Sequence, residues 1–147
     1  EDYIRESLKI QSFIDDLMNG YESKEVEFKS AHGGFPGSFW ETYSSFANSD
    51  GGIIIFGVKE KNNVFSAKPH TKEEVAKLRK AFFSSQNDKD TISLPLLSDK
   101  DVLDLPYSEG YLLAFIIPRA NREQRPVYVG RDPMTGTFRR NDEGDYR

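Results

Sequence analysis

The stretch that most constrains the fold runs from residue 52 to residue 58. Ile53–Phe56 is a run of β-branched and aromatic residues, so a strand made from it has no polar face. Such a strand has to be covered on both sides, as the central strands of sheets are. The preceding Ser49–Gly52 favours a tight turn. The sequence therefore predicts an α+β fold, with a mixed or antiparallel sheet around a central strand at about 52–58 and two to three flanking helices.

Residues at helical spacing predict three helices. The first ends at Gly20, the second ends near Asn48 and the third begins at Thr71. Their apolar positions are Ile4, Leu8, Ile10, Phe13, Ile14 and Leu17, then Phe39, Tyr43, Phe46 and Ala47, then Val75, Leu78 and Phe82. The polar stretch from Ser84 to Asp90 is expected to be a mobile loop.

Ser38 and Thr71 are each followed three residues later by a glutamate, Glu41 or Glu74. Both helices are therefore expected to begin with a capping box. Alternating or continuous apolar runs predict the strands. These are 26–29, 52–58, 64–65, 102–105, 110–117, 126–129 and 137–140. We expect the last two to pair with each other.

The composition excludes several classes of site. The chain has no cysteine, which excludes disulfides, thiolate metal sites and a cysteine nucleophile. Its two histidines, His32 and His70, leave little for a zinc site or a Ser-His-Asp arrangement. Any metal is therefore expected to be a hard ion held by carboxylates.

With 147 residues, of which 37% are hydrophobic, the chain is predicted to form a single domain spanning residues 1–147. No apolar run approaches the ~20 residues of a membrane span. The amino terminus lacks the basic and apolar regions of a signal peptide. We therefore expect a cytoplasmic protein without a membrane partner. The sequence ends without a closing element, which favours the N-terminal part of a longer protein whose other domains are partners.

The net charge of −4 argues against a uniformly basic nucleic-acid binder, but the charges are unevenly distributed. Acidic side chains dominate the amino-terminal part, and arginines gather towards the other end. These are Arg119, Arg122, Arg125, Arg131, Arg139, Arg140 and Arg147. A local basic face can bind phosphate whatever the total charge. The alternative is that these arginines form a solvated rim.

Three motifs together are similar to those of a known family. They are Glu22-Ser23-x-x-Val26-Glu27-Phe28-Lys29, then Phe46-Ala47-Asn48-x-x-Gly51-Gly52 followed by Ile55-Phe56-Gly57-Val58, then the stretch from Tyr128 to Arg140. Over about residues 15–140 the chain resembles the Schlafen AlbA_2 domain, also labelled a DNA-binding or divergent AAA-4 domain. The resemblance implies an α+β fold and binding of DNA or RNA. Such domains typically begin bacterial proteins described as transcriptional regulators or helicase-like.

The family pattern singles out Asn48, Gly51, Gly52 and Gly57. We interpret their role as structural rather than as direct contact with a ligand. Asn48 can cap the end of a helix or adopt a left-handed turn. The glycines permit a backbone path that side chains would obstruct.

The first functional hypothesis is a nucleic-acid-binding module whose cations contact phosphates. The candidates are Lys24, Lys29, Arg119, Arg122, Arg125, Arg131, Arg139 and Arg140. Tyr128, Phe138 or Trp40 could stack on exposed bases. For Trp40 and Phe138 a place in the hydrophobic core is favoured, because large aromatic side chains mostly serve burial.

The second hypothesis is a nuclease, since some relatives in the resembled family cut RNA with three carboxylates. Their Glu-x-x-x-x-Glu spacing is reproduced by Glu22 and Glu27. Lys59 occupies the place of the third acid, and Glu60 follows it. If these carboxylates converge, they would hold Mg²⁺ or Mn²⁺ to activate water, with Lys29 neutralising phosphate charge. Otherwise they are ordinary surface partners of nearby lysines.

The third hypothesis is an assembly domain without nucleic acid. The net acidity favours it, and a strand edge near Tyr128 could pair with a second copy to form a homodimer. Of the three, the sequence favours the first, with DNA or RNA as the partner. No cofactor and no enzymatic activity are expected outside the nuclease hypothesis.

Overall fold

The strand predicted to be central, Gly52–Phe56, lies in the middle of a four-stranded sheet. This computed structural model describes residues 2–21, 25–141 and 144–146. The helices are α1 (Asp2–Gly20), α2 (Phe39–Ala47), α3 (Lys72–Gln86) and the one-turn α4 (Pro133–Gly136), with a 3-10 turn at Asp99–Asp101. The strands are β1 (Val26–Lys29), β2 (Gly52–Phe56), β3 (Val58–Lys61), β4 (Val64–Ala67), β5 (Val102–Tyr107), β6 (Gly110–Ile117), β7 (Arg139–Asn141) and β8 (Gly144–Tyr146).

The main sheet is mixed, as predicted, with strand order β1-β2-β6-β5. β1 runs parallel to β2, with Val26 opposite Ile53, so the connection between them has to cross over through α2. β6 is antiparallel to β2, with Phe115 opposite Ile54. Every residue of β2 is buried, which confirms a strand covered on both faces. β2 ends before the predicted boundary because Gly57, at φ +99°, turns the chain into the separate β3–β4 hairpin.

One face of the sheet is covered by α2 and α3 through a cluster of aromatic rings. Phe39 of α2 lies 4.9 Å from Phe115 of β6, centroid to centroid, in an edge-to-face contact. Trp40 stacks on Phe82 of α3 at 5.4 Å. Such pairs add about 0.5–1.5 kcal/mol each beyond the burial of their area. Trp40 and Phe138 are 7% and 8% exposed, which confirms the core position favoured for both.

The other face is covered by α1 and the β3–β4 hairpin. Ile10 and Ile14 of α1 are buried against the side of β2 that carries Ile53. Ser7 accepts a hydrogen bond from the Phe65 N–H of β4 at 2.9 Å, so α1 also closes the edge of the hairpin. The predicted apolar stripe of α1 is incomplete, since Leu8 is 61% exposed. No described helix, α1 included, is long and apolar enough to cross a membrane.

The two predicted capping boxes have different outcomes. At α3 the Glu74 N–H donates to Thr71 Oγ1 at 3.1 Å and the Thr71 N–H donates to Glu74 Oε1 at 2.8 Å, as predicted. At α2 the prediction was wrong. Ser38 has helical dihedrals rather than the extended conformation of a capping residue, and its Oγ accepts a hydrogen bond from Lys29 Nζ at 3.0 Å.

The prediction of a loop from Ser84 was wrong for residues 84–86, which continue α3. Gln86 is buried, and both the oxygen and the nitrogen of its side-chain amide are hydrogen-bonded there. It donates to the Leu97 carbonyl at 3.0 Å, accepts from the Leu97 N–H at 3.1 Å and accepts from the Tyr43 hydroxyl at 2.8 Å. These bonds allow a polar residue to extend the helix into the core.

The predicted strand pair near the carboxyl end is reduced to a single bridge between Tyr128 and Thr137. α4 lies between these residues, Val129 bridges Ile92, and β7 pairs with β8 instead. The backbone N–H and carbonyl of Tyr128 are both hydrogen-bonded to Ser93. The strand edge expected near Tyr128 is therefore bonded within the chain.

We expect Gly51→Ala to destabilise the fold more than Gly130→Ala. Both glycines have positive φ angles, +78° and +76°, so each alanine has the same cost of a left-handed backbone, about 1–2 kcal/mol. At Gly51 a Cβ would also lie 2.7 Å from the Ile117 carbonyl oxygen, whereas at Gly130 it meets open space. The clash should raise the total loss for Gly51→Ala to about 2–5 kcal/mol. Urea unfolding measures both values, and equal losses would contradict the predicted clash.

Candidate functional site

A cavity of about 690 Å³ opens where residues 122–139 pass the end of α2. We call it the basic cavity because three arginines line it. Its lining residues are Asn48, Arg122, Arg125, Pro126, Pro133, Met134, Thr137 and Arg139. The volume falls within the range of pockets that bind small ligands or parts of larger ones, about 300–1,000 Å³.

Asn48 fixes two walls of the basic cavity at once. Its side-chain amide donates to the carbonyls of Val127 and Phe138 at 2.8 and 2.9 Å. Its Oδ1 accepts from the Val127 N–H at 2.8 Å. Ser44, one turn earlier in α2, donates to the Val127 carbonyl at 2.7 Å and accepts from the Phe138 N–H at 3.1 Å. The end of α2 thus takes the place of a neighbouring strand for two segments that have no regular sheet partner there.

The backbone of Asn48 is right-handed, with φ −86°, so the left-handed turn considered for it does not occur. The glycines after it are structural in the sense expected. A Cβ on Gly52 would lie 2.7 Å from the Phe46 ring, and one on Gly57 would lie 2.8 Å from Leu112 Cδ2. Gly51 and Gly52 lie in the tight connection from α2 to β2, and Gly57 lies in the turn from β2 to β3.

The three arginines of the basic cavity form no ion pair with any acidic side chain that the structure describes. Arg122 and Arg139 are exposed and Arg125 is half-buried. Three guanidinium groups around one concave surface, none of them in a described ion pair, favour a local positive potential in a chain whose net charge is −4. The sequence named these arginines within a longer set, and the structure brings this subset together.

Arg140 has a different environment, although it is adjacent to Arg139. Its side chain is only 16% exposed, and its Nη2 lies 3.2 Å from Glu27 Oε1 while its Nε lies 3.6 Å from Glu25 Oε2. The guanidinium also lies over the Phe46 ring, 5.1 Å from the centroid. Arg140 therefore links the end of the chain to β1 and α2.

The remaining candidate cations are spread over the surface. Arg131 is paired with Asp90, and this hydrogen bond holds the pKa of the Asp90 carboxyl below its usual range. Arg119 is 58% exposed and lies 4.0 Å from Asp50. Lys29 donates to Ser38. Lys24 lies outside the described residues.

The carboxylates of the nuclease hypothesis are on separate elements. Glu27 lies on β1 and is paired with Arg140, whereas Glu60 is exposed on β3 of the hairpin. Glu22 lies outside the described residues. Among the side chains that are described, the group able to hold a metal consists of His32, His70 and Glu74. The sequence does not predict this group, because two histidines leave little for a zinc site.

The sequence model of the Schlafen, AlbA_2 family matches residues 22–147. The chain belongs to this family. A structure comparison finds the same fold in the solution NMR structure of the N-terminal domain of a RecG-related protein from Nitrosomonas europaea. The TM-score is 0.61 at 23% identity, over 90% of this chain and 88% of the other. A comparison with curated proteins found no match.

We expect Asn48→Ala to lower the free energy of unfolding of the domain by about 2–4 kcal/mol. The partly buried peptide groups of Val127 and Phe138 would lose their hydrogen bonds to the Asn48 side chain. Asn87→Ala is the matched control, since Asn87 ends α3 with nearly the same backbone dihedrals but is exposed. That change should cost less than about 0.5 kcal/mol. Urea unfolding gives both values. Amide hydrogen exchange should become faster at Val127 in the first variant only, and unchanged exchange there would refute the assigned role of Asn48.

Proposed function

We propose that this chain is a nucleic-acid-binding domain and that the basic cavity receives the phosphate backbone of DNA or RNA. The observation that carries the proposal is the convergence of Arg122, Arg125 and Arg139 on one cavity without a described acidic partner. Phosphate contacts by arginine supply most of the affinity of such domains, independent of sequence.

The cavity suits phosphate for two physical reasons. A guanidinium group presents a rigid fork of N–H donors that matches two phosphate oxygens at once. The segments that carry the arginines are held to α2 by Asn48 and Ser44, so less conformational freedom is lost when a ligand binds. Met134, at the rim of the cavity and 87% exposed, offers an apolar surface for a sugar or base.

The family supports this assignment, as does the fold shared with the N-terminal domain from Nitrosomonas europaea, whose name relates it to the ATP-dependent DNA helicase RecG. We extend the proposal to the whole protein on this basis. The chain would serve as the N-terminal domain of a longer bacterial protein of the transcriptional-regulator type, and so would work in the cytoplasm. Its further domains would act on the nucleic acid that this domain binds.

Within this proposal, Arg140 and Glu27 have a structural role. The ion pair between them joins β7 to β1, and the Arg140 N–H also donates to Ser49 Oγ at 2.9 Å. A carboxylate engaged in this way is less available to a metal ion, because its charge is already partly compensated. For this reason we favour nucleic-acid binding over nuclease activity as the function of this domain.

Removing arginines from the basic cavity should weaken binding. We expect Arg122→Gln and Arg139→Gln each to raise the dissociation constant about 10- to 150-fold, since each removes a charge-assisted hydrogen bond worth about 1.5–3 kcal/mol. The dependence of log affinity on log salt should also become shallower by about 0.7–0.9 for each phosphate that is no longer neutralised. Fluorescence polarisation with labelled single- and double-stranded DNA and RNA, at low and physiological salt, measures both quantities.

Arg5→Gln is the matched control, because it removes the same charge from an exposed position on α1, which covers the opposite face of the sheet from α2. If Arg5→Gln weakens binding as much as the cavity variants, the interface lies elsewhere. Running the recovered probes on a gel after incubation with Mn²⁺ separates binding from cleavage. Shortened probe that is absent with Glu27→Gln would support the nuclease instead.

A further inference from the structure

Two histidines that are far apart in the sequence stack on each other next to the start of α3. The rings of His32 and His70 are 3.9 Å apart, centroid to centroid, and their planes differ by 11°. His70 is 1% exposed, and the Glu74 carboxylate lies 3.9 Å from its Nδ1. One potential ligand atom from each of His32, His70 and Glu74 lies within 4.8 Å of the other two. We call these three residues the histidine cluster.

Backbone carbonyls fix the tautomers of both rings. His32 Nε2 lies 2.5 Å from the Lys68 carbonyl oxygen, and His70 Nε2 lies 3.1 Å from that of Ser30. A carbonyl can only accept, so in each pair Nε2 must carry the proton. In the neutral ring the lone pair then belongs to Nδ1. This is how histidine ligands are usually oriented in metal sites, with the second ring nitrogen donating to a backbone carbonyl or a carboxylate.

The Glu74 carboxylate lies close to the ring nitrogen that is free to bind a metal. A neutral Nδ1 facing a carboxylate is an acceptor facing an acceptor, so a cation between them would interact favourably with both. The Glu74 carboxylate is itself held in place by the Thr71 N–H, which donates to its Oε1 at 2.8 Å.

We propose that the histidine cluster binds one Zn²⁺ ion through Nδ1 of His32, Nδ1 of His70 and a carboxylate oxygen of Glu74, with water as the fourth ligand. Two imidazoles, one carboxylate and a water form a known ligand set for Zn²⁺, and imidazole favours this ion over Mg²⁺ or Ca²⁺. The site is separate from the basic cavity, with which it shares no residue. It therefore does not depend on the proposed nucleic-acid function.

The site has to rearrange to hold the ion. Because the planes of the stacked rings differ by only 11°, their in-plane lone pairs run nearly parallel, and the His32 ring has to turn out of the stack before both Nδ1 atoms face one ion. With metal–ligand distances of about 2.0–2.2 Å, tetrahedral ligand atoms are roughly 3.4 Å apart, whereas here they lie within 4.8 Å. The two outer ligands can move, since His32 is half-buried and the Glu74 side chain is 49% exposed. Solvent reaches the His32 ring, because His32 lines a cavity of about 310 Å³.

The first test is calorimetric titration of chelator-treated protein with Zn²⁺, together with NMR of the imidazole nitrogens. Because the chain has two histidines, both rings are resolved in a long-range ¹H–¹⁵N spectrum. We expect Nε2–H tautomers without metal, one equivalent of Zn²⁺ bound, and a shift of both Nδ1 resonances on saturation. If neither ring responds to Zn²⁺, or if Nε2 rather than Nδ1 binds it, the proposal is wrong.

Glu74→Gln removes the anionic ligand and preserves the fold, because glutamine can still accept the Thr71 N–H in the capping box. We expect it to weaken Zn²⁺ binding at least about tenfold, since even partners outside the coordination shell contribute about 10–100-fold. Glu73→Gln is the matched control, one residue away in the same helical turn and outside the cluster, and should leave the affinity unchanged.

His32→Gln should weaken binding to a similar or greater extent, while its amide retains a donor for the Lys68 carbonyl. The thermal transitions of all variants without metal show whether the fold is intact. Equal affinities for Glu74→Gln and Glu73→Gln in folded proteins would exclude the histidine cluster as the binding site.

Discussion

The hydrogen bonds of the Asn48 carboxamide join two segments that are remote in sequence to the end of α2. Asn48 sits at the end of a helix whose apolar residues are buried in the core, so the packing of α2 fixes its position. A carboxamide can donate and accept at once, and therefore pairs with a peptide group as another peptide would. The segments held in this way bear the arginines of the basic cavity. The spacing of those charges consequently depends on uncharged side chains, those of Asn48 and of Ser44, which bonds the same two segments.

The features that the sequence predicted well are those that arise from local patterns. β2 and the apolar faces of α2 and α3 follow from runs and spacings within a few residues, and the capping box at Thr71 spans only four residues. The failures involve competition from distant parts of the chain. Ser38 has the right neighbour for a cap but is bonded to Lys29 of β1. Gln86 continues a helix because Leu97 satisfies its amide.

In the candidate site, too, local patterns could be predicted from the sequence and long-range contacts could not. The arginines could be recognised as a group from their clustering in the sequence, but which of them converge is decided by contacts across 79 and 90 residues from Asn48. Composition suggested that two histidines were too few for a metal site. It could not reveal that carbonyls 36 and 40 residues away orient both rings, or that a helix cap supplies the carboxylate. Counting residue types gives no information about their geometry.

Arg139 and Arg140 are consecutive residues of β7, and this limits how the length of the chain before β7 can change. Neighbouring residues of a strand point to opposite faces, so one guanidinium reaches the basic cavity while the next is enclosed by Glu25, Glu27 and Phe46. Inserting or deleting a single residue between α4 and β7 would shift the strand by one position. Only one of the two places would then hold an arginine, because a neighbouring residue would take the other. The length of this connection is therefore constrained by the basic cavity and by the ion pair at the same time.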